Sequence, residues 1–223
     1  MGQYYFGDIF GKGSSTTEKS AEQLAFDGTQ KMREREYEDA LKAFKQLKEH
    51  YPYSKYAILA ELKIGDAQFY EKQYTEAALA YEEFARLHPR NEVVPYVLYQ
   101  IGMCHFLSFS TVDRDQEETR LAMESFQRLL QAHPESEYAR KAEKQLFECK
   151  KRIVAHEYAV GEFYVHREQY RSAKERLDKI SKAYPDAVRE LGYKESVDKM
   201  LATCKKHMAD GEKKPSIWMR VGF

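Results

Sequence analysis

Residues 65–89 read GDAQFYEKQYTEAALAYEEFARLHP, and this stretch is one unit of a repeat. Gly65 is followed by Tyr74, Ala77, Tyr81 and Pro89. The same order and spacing recur as Gly28, Tyr37, Ala40, Phe44 and Pro52, and as Gly161, Tyr170, Ala173, Leu177 and Pro185. A further copy, Gly102, Ala122, Phe126 and Pro134, carries eight extra residues between glycine and alanine. Two antiparallel helices per unit account for the pattern. Small residues belong where the helices cross closely, and the proline closes the second helix because it cannot continue the hydrogen-bond ladder. The aromatic at Phe44, Tyr81 or Phe126 is expected to fill the seam with the following unit. The repeat glycines Gly28, Gly65 and Gly102 are 37 residues apart, close to the roughly 34-residue tetratricopeptide unit. The expected fold is therefore all-α, a tetratricopeptide-repeat α-solenoid with four full helix pairs and a partial fifth.

The composition agrees with helices joined by short turns. The chain of 223 residues has 11 Gly and 6 Pro, few breakers for its length, beside 17 Tyr. Its 36 Lys and Arg balance 36 Asp and Glu. That neutrality argues against nucleic acid as a partner, because phosphate binding demands a basic excess. Mean hydropathy is −0.74, and no apolar run is long enough to span a bilayer. Met1-Gly2-Gln3-Tyr4-Tyr5-Phe6 has no secretory-signal pattern, and Phe6 stands where myristoylation needs Ser or Thr. Read literally this predicts a cytosolic chain; one relieved of a leader would read the same.

No catalytic motif appears. Cys104, Cys149 and Cys204 are widely spaced and match neither a disulfide framework nor a zinc pattern, so they are expected as small buried apolar residues. His88-Pro89 and His133-Pro134 occupy the repeat position of Tyr51-Pro52 and Tyr184-Pro185, where a ring precedes the turn. His156-Glu157 lacks the second histidine of a metalloprotease helix. A non-enzymatic protein without catalytic, cofactor or metal residues is expected.

Two irregularities stand out. Gly161 follows Pro134 by 27 residues instead of 13, and Ser136 is a good N-cap, so the fourth unit is expected to open with one long helix. In the third unit, residues 108–115, including Asp113, Arg114 and Asp115, form an insertion expected as a loop. The expected organisation is a flexible segment 1–19, a solenoid 20–210 and a tail 211–223. Its repeats fall at about 20–54, 55–91, 92–136, 137–186 and, in part, 187–210. After Pro185 one helix is expected, roughly Ala187 to Met208. The tail holds Trp218, and its apolar end is read as a fold-back cap, an unstructured end or a docking peptide.

Several segments go beyond generic repeat positions. They are Ser20 to Leu24, Tyr51-Pro52-Tyr53-Ser54-Lys55-Tyr56-Ala57, Leu87-His88-Pro89, and the inserted Asp113-Arg114-Asp115-Gln116. His133 to Ala139 with its long helix, and Glu157 to Tyr170, complete the set. Together, over residues of about 20 to 186, the chain resembles the BamD/ComL family of outer-membrane protein assembly factors, periplasmic lipoproteins built of five tetratricopeptide repeats. The family's lipidated cysteine and signal peptide are not in this sequence and are expected of the native precursor only. A Tol-Pal-associated repeat protein and a cytosolic peptide-binding co-chaperone are the alternatives.

First helices line the concave face of a solenoid. With each repeat glycine as position eight, that face takes Glu22, Ala25, Thr29, Met32 and Arg33 from unit one. Unit two adds Leu59, Leu62, Asp66, Phe69 and Tyr70; unit three adds Tyr96, Tyr99, Met103, Phe106 and Leu107. These rings either pack against neighbouring helices or form an apolar peptide groove with a cation for a carboxylate. The resemblance implies the second use. It points to the C-terminal segments of unfolded outer-membrane β-barrel proteins, with Arg33, Leu62, Asp66, Tyr70, Tyr96, Tyr99 and Phe106 as the groove. It also implies docking of the assembly barrel's periplasmic domains at Arg176, nine residues before Pro185, with other Bam lipoproteins as possible further partners.

Overall fold

The computed structural model describes residues 18–108 and 112–209, and every regular element among them is an α-helix. In order these are α1 (Ala21–Glu34), α2 (Tyr37–His50), α3 (Ala57–Tyr70), α4 (Tyr74–Leu87), α5 (Val94–Leu107) and α6 (Val112–Ala132). They continue as α7 (Glu137–His166), α8 (Tyr170–Ala183), α9 (Pro185–Glu190) and α10 (Lys194–Ala209). Contiguous helices pair in a repeat arrangement, the all-α tetratricopeptide architecture that the spacing predicts. Two compact units result: α1 to α3, ending at Glu71, and α4 to α10, starting at Lys72. The expected segment 1–19 falls outside the described residues up to position 17, and so does the whole tail with Trp218.

The repeat residues explain the pairing. Phe44, Tyr81, Phe126 and Leu177 are fully buried, as are Ala40, Ala77, Ala122 and Ala173. A Cβ on Gly28 would lie 2.8 Å from the Phe44 ring, and one on Gly161 would lie 2.8 Å from Leu177. At Gly102 the Phe126 ring is closer still. The glycine thus accommodates the ring of its own unit's second helix. Part of the expected seam role also holds, since Tyr81 meets Tyr96 of α5 edge-on with centroids 6.3 Å apart.

Helix ends repeat as faithfully as the contacts. Tyr51, His88 and Tyr184 end α2, α4 and α8 with φ between −125° and −137° and ψ of 51–53°. Each donates its backbone N–H to the carbonyl four residues back. Imidazole and phenol are therefore interchangeable before the proline. Between the two helices of a repeat, Arg35, Lys72 and Glu168 adopt positive φ of 63°, 62° and 57°. All three lie seven residues after the repeat glycine. Ser20 opens α1 with a capping box: its Oγ accepts from the Gln23 backbone, and the Gln23 side chain accepts from the Ser20 N–H.

Two expectations are corrected. The single helix from Ala187 to Met208 is two helices, because Gly192 turns left-handed at φ 71° and Tyr193 N–H donates back to the Val188 carbonyl at 3.0 Å. This lets α10 fold onto α8, where Val197 joins Val154, Leu177, Ile180, Ala187 and Val188 in one core. The inserted residues Asp113, Arg114 and Asp115 lie on the backbone of α6, not in a loop. The run from Val112 lacks Gly and Pro, so helix propagation extends through it and α6 reaches 21 residues. The side chains of these three lie outside what is described. Ser136 caps α7 by accepting from Ala139 N–H at 3.1 Å, and α7 runs for 30 residues.

Replacing Gly102 by Ala should destabilise the fold by about 1–3 kcal/mol, as overpacking does. Combining Gly102→Ala with Phe126→Leu should recover part of that loss, because Leu already serves opposite Gly161. Chemical unfolding of both variants checks the pair.

Candidate functional site

In the first unit, Tyr70 at the end of α3 is half exposed and stacks on Tyr37 of α2, with centroids 5.0 Å apart and planes 17° apart. Arg33, in the last turn of α1, is exposed, and Leu62 is half-buried. Asp66 departs from the expected groove position. It is 3% exposed, and Lys63 Nζ reaches its carboxylate at 2.7 Å.

In the second unit the α5 rings are packed. Tyr138, in the first turn of α7, lies 5.5 Å from Tyr96 and 5.8 Å from Tyr99 between ring centroids. Tyr99 also meets Phe126 at 5.9 Å, and the Gln100 amide donates to the Tyr96 hydroxyl at 3.3 Å. Burial raises the Tyr99 phenol above its ordinary pKa of 10.0. Phe106 is covered by the Arg152 guanidinium, centred 3.5 Å over the ring, which also donates to the Phe106 carbonyl at 2.8 Å. At the residue before Phe106, His105 Nδ1 and Glu118 are 2.9 Å apart. Of the two readings of this face, packing describes Tyr96, Tyr99 and Phe106 best. All three residues remain half-buried.

Arg176 is tied to a buried partner. Glu157 on α7 is 2% exposed and accepts from Arg176 Nη1 at 3.0 Å and from Lys179 Nζ at 2.8 Å. Burial, the largest influence on the Glu157 carboxyl, acts alone to raise its pKa. The hydrogen bonds from Lys179 and Arg176, with their charges, overcome this and hold it below the ordinary 4.5. The two cations keep 42% and 48% of their side chains exposed. This places a fixed pair of positive groups at the surface, a form suited to an acidic partner. Glu157, Lys179, Arg152 and Tyr138 were not singled out for these roles from sequence. The partners lie 19 to 46 residues apart, and only α7 brings them together.

Cys104, Cys149 and Cys204 are buried and free. Burial pushes the Cys104 thiol up to about 12 and Cys149 to about 11. Among the described residues no cluster of three or more His, Cys, Asp or Glu could hold a metal. No described helix is long and apolar enough to cross a membrane.

Residues 17–214 match the family described as YfiO: Outer membrane lipoprotein. The chain belongs to that family. Within the YfiO family, the chain is 29% identical to the outer membrane protein assembly factor BamD of Vibrio cholerae over 157 residues, 66% of this chain and 65% of that protein. It is 28% identical to BamD of Neisseria gonorrhoeae over 197 residues, 80% of this chain and 74% of that one. A solved structure of the TPR2AB domain of yeast Sti1 with pHSP90 has a TM-score of 0.45 and 15% identity. That likeness covers 82% of this chain and 71% of that one. The BamD relatives are named as outer membrane protein assembly factors, and they support a role in outer membrane protein assembly.

Glu157 should report itself in stability. A carboxyl whose pKa is lowered by folding stabilises fully above its ordinary 4.5, and that contribution is lost as pH falls through the lower folded-state value. Arg176→Ala or Lys179→Ala alone should cost about 1–2 kcal/mol, because the other cation still serves the carboxylate. The double variant should cost about 3–5 kcal/mol, having stranded a buried charge. Unfolding at neutral pH should give this non-additive cycle, and the same cycle should shrink below pH 4.

Proposed function

We propose that this chain is a non-enzymatic scaffold of the outer-membrane β-barrel assembly machine. It is carried as a lipoprotein on the periplasmic face of the outer membrane. Arg176 docks the periplasmic domains of the assembly barrel, and other lipoproteins of the machine assemble around the same chain. The observation that carries this reading is the half-exposed guanidinium of Arg176, fixed on Glu157 in a chain that belongs to an outer-membrane lipoprotein family. A fixed cation costs less entropy to engage than a freely rotating one.

Unfolded outer-membrane proteins are the second ligand. Their C-terminal segments meet the half-exposed Tyr70 with Leu62 and Arg33 in the first unit. In the second they meet the half-buried Tyr96, Tyr99 and Phe106. Asp66 takes no direct part, since its carboxylate is buried against Lys63. The insertion that carries Asp113, Arg114 and Asp115 on the backbone of α6 is offered to further partners.

Arg176→Glu should abolish co-purification with the barrel's periplasmic domains while the protein stays folded; retention at wild-type level would remove the assignment. For the groove, Tyr70→Ala should weaken binding of a synthetic β-barrel C-terminal peptide about 3–10-fold. An unchanged titration would exclude that ring.

A further inference from the structure

We infer that Glu157 is a positioning residue that holds Arg176 and Lys179 together as a two-cation docking point for a carboxylate-bearing protein surface. The inference rests on the reading that a partner docks through Arg176, and it adds the second cation and the buried group that aims both.

The geometry is specific. Glu157 sits on α7 and both cations sit on α8, three residues apart and so on one face of that helix. Each carboxylate oxygen takes one cation: Oε2 accepts from Arg176 and Oε1 from Lys179. The carboxylate is 2% exposed and fixed on a helix packed over most of its length, so it cannot follow the cations outward. Arg176 and Lys179 are thereby drawn to one point while about half of each side chain faces solvent. One negative charge between two positive ones leaves a net positive site. Arginine has five N–H donors and lysine three, so donors remain for a second carboxylate.

The surroundings strengthen the same field. In a chain of zero net charge, α8 carries five cations, Arg171, Lys174, Arg176, Lys179 and Lys182, against Glu175 and Asp178. Lys174 is paired with Asp178. A groove of about 460 Å³ is lined by Lys179, Lys174, Arg171 and Lys182, with Glu175 and Asp178 among them, and by Met208 of α10. An acidic protein face is complementary to this combination. Long-range attraction brings it in, and the held pair sets its register.

Glu157→Gln separates the two effects by sign. It makes the face more positive by one charge, so attraction alone predicts tighter binding of an acidic partner. Positioning predicts weaker binding, because an amide holds neither cation firmly. Titration calorimetry of the full chain against the assembly barrel's periplasmic domains, at low and moderate salt, should show about 5–10-fold weaker binding. Thermal unfolding run alongside confirms the folded state. Lys179→Gln, which leaves Arg176 on the carboxylate and keeps the fold, should weaken binding about 3–5-fold and flatten its salt dependence. Equal or tighter binding by folded Glu157→Gln overturns the positioning role, and unchanged binding by Lys179→Gln overturns the second cation. Loss of binding in Arg176→Glu with neither of the other effects keeps the docking reading and rejects the inference alone. Retention of binding in Arg176→Glu rejects the docking reading and the inference with it.

Discussion

At Gly28, Gly102 and Gly161 the backbone of a first helix lies against Phe44, Phe126 or Leu177 of its partner helix, with no room for a methyl group. Fully burying such a side chain is worth about 1.5–3 kcal/mol, and that is available only if the facing position has no Cβ. The crossing point then determines the rest of each unit. It brings the alanine of the second helix into the core, and it sets where the second helix must end. The same few contacts recur along the chain, so stability accumulates from neighbouring elements with little long-range pairing, as in other repeat proteins.

Within the second unit, α7 carries an unusual share of the organisation. Thirty residues at about 1.5 Å each make a rod of about 45 Å. Along it, Tyr138 covers the rings of α5, Arg152 caps Phe106, and Glu157 gathers the cations of α8. The helix packs against α5, α6, α8 and α9 as well as α10. A partner docking at its α8 side and a ligand meeting the α5 rings would thus address one continuous element.

The repeat was readable because Gly, Ala, an aromatic and Pro answer to local geometry, and local geometry repeats. The family was readable from departures, chiefly the insertion and the lengthened helix after Ser136. The break at Gly192 had a signal in plain view. An isolated glycine inside an otherwise helical run is ambiguous, and here it adopts φ 71° and ends α9. What sequence could not supply was pairing across distance. Asp66 looked like a groove carboxylate, yet it is buried and pairs with Lys63. Arg176 was named only through the family resemblance, and its partner Glu157, 19 positions earlier, carried no signal of the pairing. Tyr96 and Tyr99 carried two readings, and the ring that packs on both, Tyr138, belongs to the next repeat.

The turns inside the units have a consequence for how this chain can be altered. Arg35, Lys72 and Glu168 stand seven residues after their glycines, and in the third repeat the same count reaches Phe109, within the extra residues 108–115. Eight residues enter the period there, yet Gly102 still meets Phe126 as tightly as its counterparts meet theirs. The joint between first and second helix is mechanically uncoupled from the crossing that defines a unit. That makes Arg35 and Glu168 natural splice points, where an epitope or a fluorescent label could be written into the chain without shifting the helices on either side.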